Sequence, residues 1–209
     1  MKRDIHIGID LDNTIVNYDA AFAAVACELG LLPPGCGVVS KEAVKAAVRQ
    51  RAGEQAWMYL QGQVYGRFID RATPYPGFDT FLHAAQARDL RIFVVSHKTQ
   101  TGHFDPQHVD LRRAARNWME QYGFIGIDGS GLPASRVYFE DTQADKIGRI
   151  LSLECHIFVD DLPAVLHHPA LPDALERIWF AGSQPAANGC GLRPYRDWRT
   201  VLDTILPRL

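Results

Sequence analysis

His6-Ile7-Gly8-Ile9-Asp10-Leu11-Asp12-Asn13-Thr14 is an apolar run that ends on two carboxylates one residue apart. The run from Ile5 to Ile9 reads as a buried strand. Side chains alternate faces in extended chain, so Asp10 and Asp12 can point the same way while Leu11 points the other. Asn13-Thr14 then breaks the strand and supplies small polar groups. At the carboxyl end of a parallel strand, where open α/β sheets hold their ligands, this is a plausible chemical site. Acidic residues also end strands simply as turn formers or helix caps, so the Asp-x-Asp pair decides nothing without partners elsewhere.

The chain around it has 209 residues, enough for one substantial core and an inserted subdomain. Lys plus Arg number 22 against 24 Asp plus Glu, a formal charge of −2, which argues against a protein that works by neutralising a nucleic-acid backbone. Cys27, Cys36, Cys155 and Cys190 show no C-x-x-C spacing and no zinc pattern. Cys27, in a helical pattern, and Cys155, just before an apolar strand, are expected to be buried free thiols of a reducing compartment. No signal-like apolar stretch follows Met1, and no apolar run reaches the roughly 18 residues of a membrane span. The expectation is a cytoplasmic protein with no membrane partner.

Beyond Thr14, three helical patterns are predicted over residues 19–30, 40–51 and 54–69. Gly30 with Pro33-Pro34-Gly35 ends the first and Ser40 caps the second. Three successive helices do not make one short β-α-β crossover, so residues 18–72 read as an inserted helical subdomain. In it Trp57, Tyr65 and Phe68 are expected to be packing rather than a stacking site. Arg67 is read as an exposed helix residue, with binding of a second anionic group as the alternative. A helix over 78–87 leads to the strand Arg91-Ile92-Phe93-Val94-Val95, which stops on Ser96-His97-Lys98. Asp105-Pro106 marks a helix start with an apolar stripe through Val109, Ala115, Trp118, Met119 and Tyr122, ended by Gly123. A loop over 128–133 precedes the strand 137–140, a short helix containing Lys146, the strand 156–159 ending on Asp160-Asp161, a strand at 178–180 and a closing helix over 197–206. Strand and helix alternate, which predicts a parallel sheet covered on both faces.

Three apolar strands therefore end in reactive groups, at Asp10/Asp12, Ser96 and Asp160/Asp161. Four carboxylates at one sheet edge cannot all stay ionised unaided, so raised pKa values or a bound cation are expected. Mg²⁺ suits the composition, because it takes oxygen ligands and binds through a few carboxylates plus substrate phosphate. Ser96 and nearby backbone N–H groups can hold phosphate oxygens, with Lys146 offsetting their charge. Of five lysines, Lys98 is the rival for that last role; Lys146 is favoured by its spacing before Asp160.

In this order and these strand contexts the motifs resemble those of the haloacid dehalogenase (HAD) superfamily, and of its phosphatases in particular. The matching residues are Asp10-Leu11-Asp12-Asn13-Thr14, Ser96, Lys146 and Asp160-Asp161, across residues 4–17 and about 73–180. The resemblance implies an α/β fold with a Rossmann-like parallel-sheet core, residues 1–17 and 73–209, and a C1-type helical cap, residues 18–72. It implies that Asp10 is the nucleophile that forms an aspartyl-phosphate, and that Asp12 is the general acid and then the base. Asp10, Asp12 (through its carbonyl), Asp160 and Asp161 would hold Mg²⁺, with Thr14, Ser96, His97 and Lys146 at the phosphate.

The activity so implied is hydrolysis of a phosphomonoester of a small metabolite, a sugar phosphate or a nucleotide. Asp160-Asp161-Leu162-Pro163 is similar to a stretch in the deoxyribonucleotidases of the superfamily. Asn13-Thr14 and the length of 99–133 depart from them. A dehalogenase would need no acid/base at Asp12. A phosphonate hydrolase would want a cap lysine, for which Lys41 and Lys45 are available, and a phosphomutase or a non-catalytic binder stays open. So does the oligomeric state, a homodimer included.

Overall fold

The computed structural model describes residues 4–126, 131–184 and 191–209. The loop expected over Asp128-Gly129-Ser130 and the cysteine Cys190 lie outside the described residues. Eight strands and seven α-helices follow in chain order among them. They are β1 His6–Ile9, β2 Val16–Asn17, α1 Asp19–Glu28, α2 Lys41–Tyr65, β3 Thr73–Pro74, α3 Phe78–Gln86, β4 Arg91–His97 and α4 Leu111–Gln121. After these come β5 Val137–Glu140, α5 Gln143–Ser152, β6 Ile157–Asp160, α6 Pro163–Leu166, β7 Glu176–Phe180, β8 Pro194–Tyr195 and α7 Trp198–Ile205. The described chain forms two compact units. One comprises Pro74–Lys98 with the described parts of Met1–Val16 and Tyr122–Leu209; the other comprises Asn17–Thr73 and Thr99–Gln121.

The first unit is built on a six-stranded sheet in the order β5-β4-β1-β6-β7-β8, parallel throughout. β1 lies at its middle, so Ile7 and Ile9 are fully buried, as a strand covered on both faces requires. Alternation along β4 sends Phe93 and Val95 into a cluster with Ile147 and Ile150 of α5, Val165 and Leu166 of α6, and Phe158. The opposite face carries Phe78 and Phe81 of α3, Phe180 and Trp198, the last two stacked at 5.3 Å. Each such side chain taken fully out of water contributes about 1.5–3 kcal/mol. Gly8 lies against Phe158: a Cβ built there would come within 2.5 Å of the ring, so the packing beside the site admits no side chain at this position.

The second unit is helical. α1 packs on α2 through Phe22, which stacks on Trp57 at 5.1 Å, and Tyr65 meets both Tyr18 and Phe22. The aromatic stripe is thus internal packing of this unit. The two helices predicted over 40–51 and 54–69 run on as α2, interrupted at Gly53, whose φ of 85° and ψ of 178° only glycine adopts easily. Lys41 and Lys45 lie on α2, their ammonium groups near the rings of Phe22 and Trp57 respectively.

The helix predicted from Asp105 starts instead at Leu111. The Asp105 carboxylate accepts the backbone N–H groups of Gln107 and Val109 and the Gln63 amide, so it closes a turn rather than capping a helix. Gly102 then approaches Gly62 closely enough that a Cβ on Gly102 would meet Gly62 Cα at 2.6 Å. Residues 99–121 therefore belong physically with the helices of 17–73. No helix among the described residues is long and apolar enough to cross a membrane.

Candidate active site

The site forms at the carboxyl edge of the sheet because the two central strands end there. Asp10 follows β1 directly, its N–H donating to Val159 O, and Asp160 ends the adjacent β6 with Asp161 next in chain. All three are buried, and one carboxylate oxygen from each lies within 4.8 Å of the others. The turn after β1 is fixed by Ile15 and Val16 N–H groups on Leu11 O, and by Trp198 Nε1 donating to Thr14 O at 2.9 Å. Thr14 is fully buried, with its hydroxyl 3.4 Å from Asp10 Oδ2.

Lys146 enters from the first turn of α5. Thr142 caps that helix, accepting the Asp145 N–H at 3.0 Å while its hydroxyl donates to the Asp145 carboxylate. The next residue sends its Nζ to Asp10 Oδ1 at 2.5 Å and to Asp160 Oδ2 at 2.7 Å. The other Asp160 oxygen accepts the Leu162 N–H. Lys98, from the end of β4, is buried as well and pairs with Asp12 Oδ2 at 2.8 Å. Both lysines weighed in the sequence thus reach the site: Lys146 bridges Asp10 and Asp160, and Lys98 serves Asp12.

Ser96, next to last in β4, lies on the same edge, buried, and its Oγ has no hydrogen-bond partner among the described residues. An unsatisfied buried hydroxyl costs about 1–3 kcal/mol, so it asks for an acceptor that a ligand can provide. His97 lies apart from Ser96. Period-two alternation turns it away from Ser96, and it is exposed, with Nε2 hydrogen-bonded to Asp141 O at 3.0 Å. It is not brought together with the other predicted residues. The sequence marked Asn13 as a small polar group of the first motif and did not mark Gln184, yet both donate to Asp161 Oδ2. Only their position in the fold identifies them as its partners.

The electrostatics follow from burial. Desolvation raises the Asp10 carboxyl; Lys146 opposes it, while Asp160 and Asp12 add to it, and the result is a pKa of about 7. Burial alone would lower the Lys146 ammonium, but Asp10 and Asp160 outweigh it and hold its pKa above the ordinary value. With all four ionised, the carboxylates of Asp10, Asp12, Asp160 and Asp161 exceed the ammonium groups of Lys98 and Lys146 by two charges. A hard divalent cation on oxygen ligands supplies that balance, so the donor set fits one.

No family model matches the sequence, and no curated protein matches it. Solved structures do. A HAD-family hydrolase from Deinococcus radiodurans R1, with bound phosphate and sodium, is 13% identical over 100% of this chain and 97% of its own, with a TM-score of 0.59. A HAD-superfamily hydrolase from Ehrlichia chaffeensis is 11% identical over 99% and 98%, with a TM-score of 0.57. A predicted phosphoglycolate phosphatase from Haemophilus somnus 129pt is 15% identical over 97% and 98%, with a TM-score of 0.54. The chain has the fold of the HAD-superfamily hydrolases, a parallel α/β sheet with helices packed on it.

Proposed function

We propose that this chain is a Mg²⁺-dependent phosphomonoester hydrolase that acts on a small cytoplasmic metabolite through an aspartyl-phosphate on Asp10. The observation that carries this is the buried Asp10 carboxylate, bridged by Lys146 to Asp160 and grouped with Asp160 and Asp161. The phosphate bound in the Deinococcus neighbour, which shares the fold, accords with it. An isolated structural ion pair needs neither a third carboxylate nor an unsatisfied hydroxyl beside it.

In this mechanism an Asp10 oxygen attacks phosphorus as the bond to the leaving oxygen breaks. Asp12 gives its proton to that oxygen, then takes one from the water that attacks the aspartyl-phosphate, releasing inorganic phosphate and restoring Asp10. Lys98 holds Asp12 in place for both roles. Ser96 Oγ, Thr14 and Lys146 receive the phosphoryl oxygens. Mg²⁺ held by Asp10, Asp160, Asp161 and the Asp12 carbonyl would offset the charge on those oxygens. We read residues 18–72 as the cap that selects the leaving group, a sugar phosphate or a nucleotide.

The test is phosphate release from nucleotides, sugar phosphates and an aryl phosphate, with Mg²⁺, with chelator, and with Asp10→Asn. Metal-dependent release that disappears in the variant supports a phosphatase. Release that survives Asp10→Asn overturns the mechanism.

A further inference from the structure

Asp161 is gripped in a way that the proposed chemistry does not use. Asn13 Nδ2 donates to Asp161 Oδ2 at 3.2 Å, and Gln184 Nε2 donates to the same oxygen at 3.1 Å. The main chain of Asp161 is fixed too, its carbonyl accepting Trp179 Nε1 at 3.1 Å. Three parts of the sheet edge therefore converge on one residue: the turns after β1 and after β7 on its carboxylate, and β7 itself on its carbonyl.

Both amides are held by their own backbones. Asn13 sits at φ 62°, a left-handed conformation that asparagine tolerates better than most residues, and its N–H donates to Val16 O at 2.9 Å. Gln184 lies in a turn whose N–H donates to Ala181 O at 2.8 Å. Arg196 Nη1 clamps that turn by donating to the carbonyls of Gly182 and Gln184, each at 3.0 Å. Neither amide carries charge, so their effect on Asp161 is orientation and not neutralisation. A carboxylate with two N–H donors on one oxygen cannot rotate without losing both.

We propose that Asn13 and Gln184 are positioning residues of a metal centre, fixing the orientation in which the Asp161 carboxylate meets the divalent cation. The inference rests on the reading of the site as a Mg²⁺ centre. Hydrogen bonds that orient a metal ligand are typically worth 10–100-fold in metal affinity. Arg196 acts one step further out, by holding the turn that presents Gln184.

The test is Mg²⁺ binding to the whole chain by titration calorimetry, with the metal-induced rise in melting temperature as a second readout. Gln184→Met keeps side-chain length without the N–H, and Asn13→Gly keeps the left-handed backbone without the amide. Asp161→Asn is the control. Each of the first two is expected to weaken Mg²⁺ binding by about 10-fold or more. Apparent Mg²⁺ half-saturation of phosphate release should rise by the same factor, and excess Mg²⁺ should recover turnover. A merely structural role would lower the metal-free melting temperature and leave affinity unmoved. Wild-type affinity in both variants, with binding lost in Asp161→Asn, overturns this inference alone. Absence of divalent-cation binding in the wild type overturns it together with the function proposed above.

Discussion

Lys146 places its Nζ 2.5 Å from Asp10 Oδ1, so that an amine from the first turn of α5 meets the carboxylate at the end of β1 in a water-excluded setting. The contact joins residues 136 positions apart in sequence. Replacing Lys146 with Met keeps the bulk and leaves two buried carboxylates without their ammonium. Removing one partner of such a group costs about 3–5 kcal/mol. Urea unfolding of metal-free Lys146→Met should show a loss of that order, and phosphate release should vanish. Lys146→Arg should not restore release, because a planar guanidinium cannot replace a point donor between two oxygens.

The Asp10 carboxyl ties stability to pH. Its pKa is raised from 3.8 to about 7, chiefly by burial, so between those values the folded chain binds a proton that the unfolded chain has released. Metal-free stability should therefore fall as pH rises through that window. A cation replaces the proton. Mg²⁺ should raise the melting temperature more at pH 8 than at pH 5, as thermal melts at the two pH values would show. An equal shift at both would contradict the prediction.

Ser96→Ala should separate stability from activity. The Ser96 hydroxyl is buried with no hydrogen-bond partner among the described residues, so its removal should leave the metal-free protein as stable as before or up to about 1 kcal/mol more so. Phosphate release should nevertheless fall, with KM rising about tenfold or more, since the bond to phosphate is lost. Steady-state kinetics beside a denaturation curve measures both effects.

In the helical unit, Asp105 organises the segment 99–110. Burial would raise its carboxyl, but the N–H groups of Val109 and Gln107 and the Gln63 amide outweigh it and hold the pKa below 3.8. The stability this supplies is present above pH 3.8 and is lost as pH falls through the lower folded value. Asp105→Ala leaves the buried Gln63 amide unsatisfied and should cost about 1–3 kcal/mol at pH 7. The gap between wild type and variant should narrow in denaturant curves taken at progressively more acid pH.

What was legible in the sequence was local and periodic. Ile5 to Ile9 and Ile92 to Val95 announced buried parallel strands through unbroken apolar runs, and their polar terminators marked the sheet edge. Asp10, Asp160 and Asp161 meet as that pattern predicts. Ser96 could be read as the end of a strand, but His97 could not be assigned a side without the strand register, and alternation turns it outward. Asn13 was legible as a polar group of the first motif but not as a partner of Asp161, and Gln184 carries no signal in its own segment, since an amide becomes informative only when folding brings a carboxylate to it. The helix start at Asp105-Pro106 misled for a related reason. The same carboxylate that caps helices also closes turns, and the Gln63 amide, 42 residues earlier, favoured the turn.

The most direct measurement is an acid-quenched reaction with the best substrate and Mg²⁺, followed by mapping of phosphate on peptides of the chain. The expected result is phosphate on the peptide that contains Asp10, labile to hydroxylamine as an acyl phosphate is, and absent in Asp10→Asn. Steady turnover with no phosphate on Asp10, or turnover preserved in Asp10→Asn, would contradict nucleophilic catalysis by this residue.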